Sequence, residues 1–440
     1  MLSFCFLFFL ILFFIIPSKS KKIDSSNLSI LCRVRRRKRV MVSMEQHLPR
    51  ELVSNILSRL PAKDLVLCKF VCKSWFDLIS DPHFITNYYA VYNNLMHLQS
   101  QEEHLLAIGR PSLSGLKTYI SILSWNTNDS KKHVSSALLN PPEEYNSDHK
   151  YWSEISGPCN GIYFLEGNPN VMMNPSLGQF KALPESHFTA SQATYSLTEY
   201  FGFGFDPKTD DYKVVVIKDF WLKETDERKL GYWVAEVYSL NSNTWRKLDA
   251  SPPLSVEIWG STRVYTYVNS CCHWWGFVDH ESGRTQDVVL AFDMVNESFR
   301  NIKVLRIRSS SEEEFATLVP FNESSTIGAI VYPVRGTEKC LDVWVLKDYW
   351  DEDSWVKQYR VTNLQVIDKL VGFIGSNKFL SKDSNEGLVF HEPDESHNKT
   401  RDLNVYGMCA SLRAATYSES LVSLQRGNEF GRQFFLCPKS

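Results

Sequence analysis

Between Leu48 and Phe84 apolar residues recur at steps of one, three and four, and from about His104 onward the period shortens to that of strands. In the first stretch Leu52, Val53, Ile56, Leu57 and Leu60 fall on one side of a predicted helix, with Arg50, Glu51, Ser54, Asn55 and Arg59 on the other. Pro61 ends that helix, since proline lacks the N–H and clashes with the preceding turn. Asp64 is the expected cap of a second helix, which carries Leu65, Cys68 and Cys72 on one face and Leu67, Phe70 and Val71 on another. Ser74 and Asp77 have capping-box spacing and open a third helix bearing Trp75, Leu78 and Ile79. Asp81 before Pro82 predicts a further short helix through Phe84 and Tyr88. Three helices of roughly ten residues bury too little surface to be confidently stable alone. A second helix with two apolar faces needs a partner for one of them, either the downstream domain or another protein. An ordinary helical cap on the β domain is the alternative.

The later stretch reads as short strands. Thr118–Trp125 is β-rich with partial alternation, and Tyr212–Ile217 is an almost continuous β-branched run. Turn signals separate the strands at Pro158–Gly161, Asn174–Ser176, Asp206–Thr209 and Leu240–Asn243. A strand, a polar turn and a strand led by an aromatic recur at Val171–Leu183, Glu236–Leu248, Leu290–Ile302 and Asp342–Tyr359, with a looser echo at Gly387–Leu403. The aromatics are Phe180, Trp245, Phe299 and Trp355, at spacings of 65, 54 and 56 residues. A radial array of sheets suits this repeat, with long loops or unmarked blades between; a β-sandwich is the alternative. No long amphipathic helix separates the strands, which argues against parallel βαβ winding.

Composition narrows the class. The 440 residues suffice for one small and one large domain, and 48 Lys and Arg against 50 Asp and Glu leave no global field to attract nucleic acid or a membrane. Ten cysteines are too sparse for a disulfide framework, so reduced intracellular thiols are expected. Five N-x-Ser/Thr triplets, at Asn27, Asn128, Asn296, Asn322 and Asn398, carry no meaning without secretion. Met1–Ile16 is almost wholly apolar but shorter than the ~20 residues of a membrane span, and it lacks the basic start of a signal peptide. Basic residues follow, from Lys19 to Arg39; they would hold an inserted chain on the cytoplasmic side, or serve as a nuclear import patch or a solvated linker. Met41 and Met44 offer alternative starts that would remove the leader.

Motifs of chemistry are sparse: no HExxH, GxSxG, Walker or GxGxxG pattern occurs. Cys68 and Cys72 sit one helical turn apart without a second ligand pair, and Cys271, Cys272 and His273 lie on an alternating strand beside Trp274 and Trp275. Both groups read as packing rather than as a metal site or a nucleophile. Asp351–Asp353 and Glu312–Glu314 read as solvated loops, or as an acidic rim for a basic partner, and Gly202 and Gly204 as close backbone approach between strands. No catalytic residue, cofactor or metal is expected. Specificity is expected in outward loops, with Phe220–Arg228, Asp279–Arg284 and Ser309–Glu314 as candidates.

Two resemblances sharpen this reading. Leu48-Pro49, Glu51-Leu52, Ile56-Leu57, Arg59 to Pro61, Lys63, Leu65, Cys72 to Trp75, Ile79, Pro82 and Phe84 together resemble an F-box without a gap. That resemblance implies docking on the Skp-type adaptor of a cullin-RING ubiquitin ligase through Leu48, Pro49, Leu52, Ile56, Leu60, Pro61, Leu65 and Trp75. Asp64 stands where many members have Ser, and Cys68 and Phe70 replace a more frequent Arg and Cys. The second resemblance covers most of Gly157–Leu424. Gly157 to Gly161, Asn174-Pro175, Gly202 to Asp206, Asp211 to Val215, Cys272 to Trp274, Phe292-Asp293, Asp342 to Trp344 and Ser354-Trp355 resemble the F-box-associated, kelch-like domains of plant F-box proteins. Gly157–Asn160, Cys272–Trp275 and Asn404–Leu424 are most similar to the S-locus F-box group, whose members recognise pistil ribonucleases.

The fold class implied is α+β and multidomain, a small three-helix F-box followed by a large all-β kelch-like β-propeller. The expected boundaries are an apolar leader and basic linker at 1–43, the F-box at 44–90, a linker with first strands at 91–115, the propeller at 116–425 and a tail at 426–440. The implied function is a non-catalytic substrate receptor of a ligase of the Skp–cullin–F-box type, holding a client protein that the narrower resemblance makes a pistil ribonuclease. A non-ligase interaction scaffold is the alternative. The cytoplasm, the nucleus or both is the expected location, with anchoring through residues 1–16 as the alternative.

Overall fold

In the computed structural model the described residues are 49–99, 102–109, 118–126, 134–145, 152–186, 194–222, 232–253, 256–258, 266–279, 285–304, 307, 314–321, 325–333, 340–362, 369–374, 378–382, 387–393, 398–406 and 412–425. The leader, Leu48 and most of the three candidate loops lie outside them. Among the described residues no helix is long and apolar enough to cross a membrane. Contacts divide the chain into two units; one holds the helices with Pro175–Leu177 and Ser418–Ser423, the other the sheets.

The helical unit contains α1 (Arg50–Leu57), α2 (Ala62–Cys68), α3 (Lys73–Ile79) and α4 (Pro82–Gln99). Its core is Val53, Leu57, Ala62, Leu65, Cys68, Trp75, Leu78, Ile79, Phe84, Tyr88, Tyr92 and Leu421. Two caps differ from expectation. The residue before α2 is Pro61, so Asp64 lies inside the first turn instead of capping it. The residue before α3 is Cys72, whose Sγ accepts from the Trp75 N–H at 3.4 Å, so Ser74 is already helical. Asp81 behaves as predicted: its Oδ1 accepts from His83 N at 2.9 Å, with Pro82 in the first helical position. From there α4 runs for 18 residues rather than one or two turns. Phe84, Tyr88 and Tyr92 recur every fourth residue, stack with centroids 6.5 and 5.2 Å apart, and bury that face, so nothing ends the helix early.

The second unit is six sheets in which every described strand pair is antiparallel. The first sheet joins both ends of the domain: Arg413–Thr416 pairs with Glu102–Gly109, which pairs with Tyr119–Asn126 and then Ser135–Leu139. The second runs Trp152–Cys159, Ile162–Gly167, Val171–Asn174, Gln179–Ala182, and the third Thr194–Asp206, Asp211–Leu222, Tyr232–Ser239, Thr244–Lys247. In the fourth, Val256–Ile258 and Thr266–Val268 both pair with Cys271–Asp279, followed by Thr285–Asp293 and Ser298–Lys303. Glu314–Phe321, Thr326–Pro333, Leu341–Leu346 and Trp355–Val361 form the fifth; Lys369–Ile374, Lys378–Lys382, Gly387–Pro393 and Asn398–Tyr406 form the sixth.

Apolar packing closes these sheets into a ring. Tyr163 and Leu165 of the second sheet share a core with Leu106 and Ile120 of the first. Phe164 stacks on Phe203 of the third sheet at 6.2 Å. Trp274 of the fourth sheet donates from Nε1 to the Phe201 carbonyl of the third at 3.0 Å. A shared core joins the fourth sheet to the fifth, Phe379 carries the sixth into the fifth, and Trp125 and Phe390 join the sixth to the first. The result is a six-bladed propeller, not a sandwich.

Each recurring hairpin of the sequence is the last pair of strands of one blade. The leading aromatic has a physical role there. Trp245 donates from Nε1 to the Pro184 carbonyl at 2.7 Å, and Trp355 to that of Lys303 at 3.1 Å, in each case at the outer strand of the preceding blade. Gly202 is a close approach as expected, since a Cβ there would meet Trp274 Cζ2 at 2.7 Å. Asn160 and Gly161, both with positive φ, turn the chain between the first two strands of the second blade.

Candidate functional site

Several ionisable side chains among the described residues of the propeller tie its blades together. Lys213 is buried, with Nζ 2.7 Å from Asp206 Oδ2, 3.0 Å from Glu297 Oε1 and 3.0 Å from the Met294 carbonyl oxygen. Burial alone would lower its pKa; the bonds to Asp206 and Glu297 outweigh this and raise it. Arg246 adds a second cation on Glu297, so the network ties the third blade to the fourth. Arg413 on Glu154 ties the first blade to the second, and Lys378 on Glu103 the sixth to the first.

Cys271, Cys272 and His273 are buried. Burial raises the pKa of both thiols, which is the reverse of nucleophile activation. Burial also pushes His273 down to about 4, leaving a neutral ring that donates from Nδ1 to the Thr266 carbonyl at 3.0 Å and accepts at Nε2 from the Tyr349 hydroxyl at 2.8 Å. The acidic run at 351–353 belongs to an exposed turn: Asp351 Oδ1 accepts from Asp353 N at 3.1 Å, and Ser354 Oγ donates to the Asp351 carbonyl at 2.7 Å. In the helical unit Cys68 is buried, its thiol pushed up to about 12 by desolvation and then by Asp64, while Cys72 caps α3.

The site that stands out is a surface. Seven large hydrophobic side chains are exposed among the described residues, and five of them (Leu52, Leu67, Phe70, Phe76, Val91) lie in the helical unit between residues 52 and 91. The much larger propeller contributes two, Leu138 and Trp350. Leu52 is 40% exposed on α1, Leu67 55% on α2, Phe70 60% in the turn after it and Phe76 44% on α3. The helical unit therefore exposes more large apolar side chains than the much larger propeller does among the described residues.

Of the eight residues implied by resemblance, Leu48 lies outside the described chain. Pro49 and Leu52 are exposed, and Ile56, Leu60 and Pro61 are half-buried. Leu65 and Trp75 are in the core, at 0% and 6% exposure, and hold the helices together rather than presenting side chains outward. The second face of α2, with Leu67 and Phe70, was visible as surplus apolar periodicity. Phe76 was not singled out, because it neighbours Trp75 in the same short helix and only the register of that helix tells which of the two points outward.

Residues 112–424 match the model of the F-box associated β-propeller domain, and residues 46–90 the F-box-like model. The chain belongs to the family of F-box associated β-propeller proteins. Among its relatives, the F-box protein CPR1 of Arabidopsis thaliana is 25% identical over 398 residues, covering 85% of this chain and 88% of that one. The F-box/kelch-repeat protein At3g23880 of the same plant is 25% identical over 381 residues, covering 82% and 94%.

Proposed function

We propose that this protein is the substrate receptor of a Skp–cullin–F-box ubiquitin ligase. The helical unit docks on a Skp-type adaptor, and the propeller holds a client protein. The observation that carries the reading is the concentration of exposed Leu52, Leu67, Phe70 and Phe76 in the unit that matches the F-box model. Desolvating such side chains against a complementary groove is the dominant favourable term in association. Pro49 and Leu52 provide the leading contact, with Leu48 before them, while Ile56, Leu60 and Pro61 contribute their exposed portions. Leu65 and Trp75 act from within the core by fixing the helices that carry the surface. Catalysis by such a receptor is proximity, since a tethered client presents its lysines at high effective concentration to the charged enzyme.

The client reading is narrower. Resemblance to the S-locus group makes a pistil ribonuclease the proposed client. That resemblance rests in part on Cys272, His273, Trp274 and Trp275, which are buried and carry fold rather than recognition. Specificity is assigned instead to the candidate segments Phe220–Arg228, Asp279–Arg284 and Ser309–Glu314, most of which lie outside the described residues.

The experiment is co-purification of the full chain with the adaptor. Wild type retains it, and replacing Leu48 and Pro49 with alanine abolishes it while a client stays bound. Unchanged adaptor recovery in that variant rejects the docking site; no adaptor with wild type leaves the scaffold reading.

A further inference from the structure

The helical unit is built from more than the stretch that resembles an F-box. Six residues from the far end of the chain, Ser418–Ser423, belong to it, together with Pro175–Leu177. The F-box-like match stops at residue 90, and the propeller match runs through 418–423, so neither assigns these residues to the helices.

Their contacts are specific. Helix α2 starts after Pro61, a residue with no side-chain acceptor to offer the first N–H groups. The Asp64 and Leu65 amides turn back to the Pro61 carbonyl at 3.0 and 3.1 Å. The Ala62 amide instead donates to Glu419 Oε2 at 2.6 Å, and the Tyr88 hydroxyl donates to the same oxygen at 3.0 Å. Burial raises the pKa of the Glu419 carboxyl, against the bonds from Ala62 and Tyr88, which favour its charged form. Asn93 on α4 holds the Glu419 backbone from both sides, its Nδ2 donating to the carbonyl at 3.3 Å and its Oδ1 accepting from the amide at 3.2 Å. The Ser420 amide donates to Ser176 Oγ at 3.0 Å. Leu421 is 3% exposed and sits in the helical core beside half-buried Leu177.

We infer that Ser418–Ser423 is an integral strap of the adaptor-docking unit, and that Glu419 is a positioning residue that fixes the start of α2 and thereby the exposed Leu67 and Phe70. Three of the four helices have eight residues or fewer and carry little core of their own, so a buried leucine and a shared cap from elsewhere in the chain contribute to ordering them. The inference rests on the docking reading only for its functional consequence; the strap itself stands on geometry.

The test uses the full chain, with hydrogen exchange of the Ala62–Cys68 amides as one readout and affinity for a purified Skp-type adaptor as the other. Glu419→Ala removes the acceptor and is expected to speed exchange across α2 by about five- to tenfold, with a similar weakening of adaptor binding. Glu419→Gln keeps an oxygen able to accept from Ala62 and Tyr88, and is expected to stay near wild type on both readouts. Leu421→Ser, which empties a core position instead of the cap, is expected to raise exchange throughout the helices. Should the Ala variant lose the helical unit altogether while the Gln variant keeps it, the acceptor role is supported equally. Unchanged exchange in Glu419→Ala, or a Gln variant as impaired as Ala, overturns the inference. Faster exchange in Glu419→Ala with no adaptor binding even by wild type supports the strap and sinks the docking reading instead.

Discussion

His273 illustrates how a residue with chemical potential is absorbed by packing. Its ring is enclosed, Nδ1 faces the Thr266 carbonyl, and Nε2 faces the Tyr349 hydroxyl. Arg300 adds a cation that also disfavours the charged ring. With a folded pKa of about 4 against an ordinary 6.5, the unfolded chain takes up a proton at a pH where the folded chain does not. Stability from the neutral ring is therefore fully present above pH 6.5 and is lost as pH falls toward 4. Over that window wild type is expected to lose up to roughly 3 kcal/mol more than His273→Gln, read from denaturant unfolding at several pH values. Parallel pH profiles for the two would contradict this.

The same scale shows what the residues disclosed and what they withheld. Cys271–His273 was legible as packing because the cluster lies on a strand beside Trp274 and Trp275 with no electropositive setting in the sequence around it. The caps of α2 and α3 were not. Cysteine is a weak acceptor outside the usual capping set, and the carboxylate serving α2 lies 357 residues away from Ala62. No local pattern predicts a partner at that separation.

At the level of elements, the recurring hairpin was readable because a strand, a polar turn and a following aromatic coincide in it. The strands that precede it in a blade carry no such mark, so the number of blades stayed open until the sheets were in view. The aromatic is a tether between blades as well as a hydrophobe, which Trp355 allows to be separated. Trp355→Phe retains the ring and removes the N–H that reaches Lys303, an expected loss of about 1 kcal/mol. Trp355→Ala also empties buried volume and is expected to cost about 3–5 kcal/mol. Chemical denaturation measures both; equal losses for Phe and Ala would show that the hydrogen bond, not the ring, carries the contribution.

For the whole molecule, the division into a helical part and a β part was legible from the change in hydrophobic period near residue 100. In the structure α4 continues to Gln99, the first propeller strand begins at Glu102, and the last strand, Arg413–Thr416, closes the first blade. That closure, and the membership of Ser418–Ser423 in the helical unit, depend on pairing between distant parts of the chain. Sequence periodicity reports the faces of an element but not its distant neighbour. Exposure likewise separates Leu67 and Phe70 from Leu65 and Trp75, which no periodicity could rank.

The claim that joins these scales is that the exposed apolar residues of the helical unit form a docking surface. Calorimetric titration of the purified full chain with a purified Skp-type adaptor addresses it directly. Wild type is expected to bind with a negative heat-capacity change, the mark of buried apolar surface. Leu67→Asp with Phe70→Asp is expected to weaken binding by at least a hundredfold, with the unfolding midpoint unchanged because both side chains are exposed. Trp350→Asp, which alters a residue 75% exposed in the propeller, is expected to bind as wild type does. No binding by wild type, or equal affinity for the Leu67 and Phe70 double variant, would contradict the account.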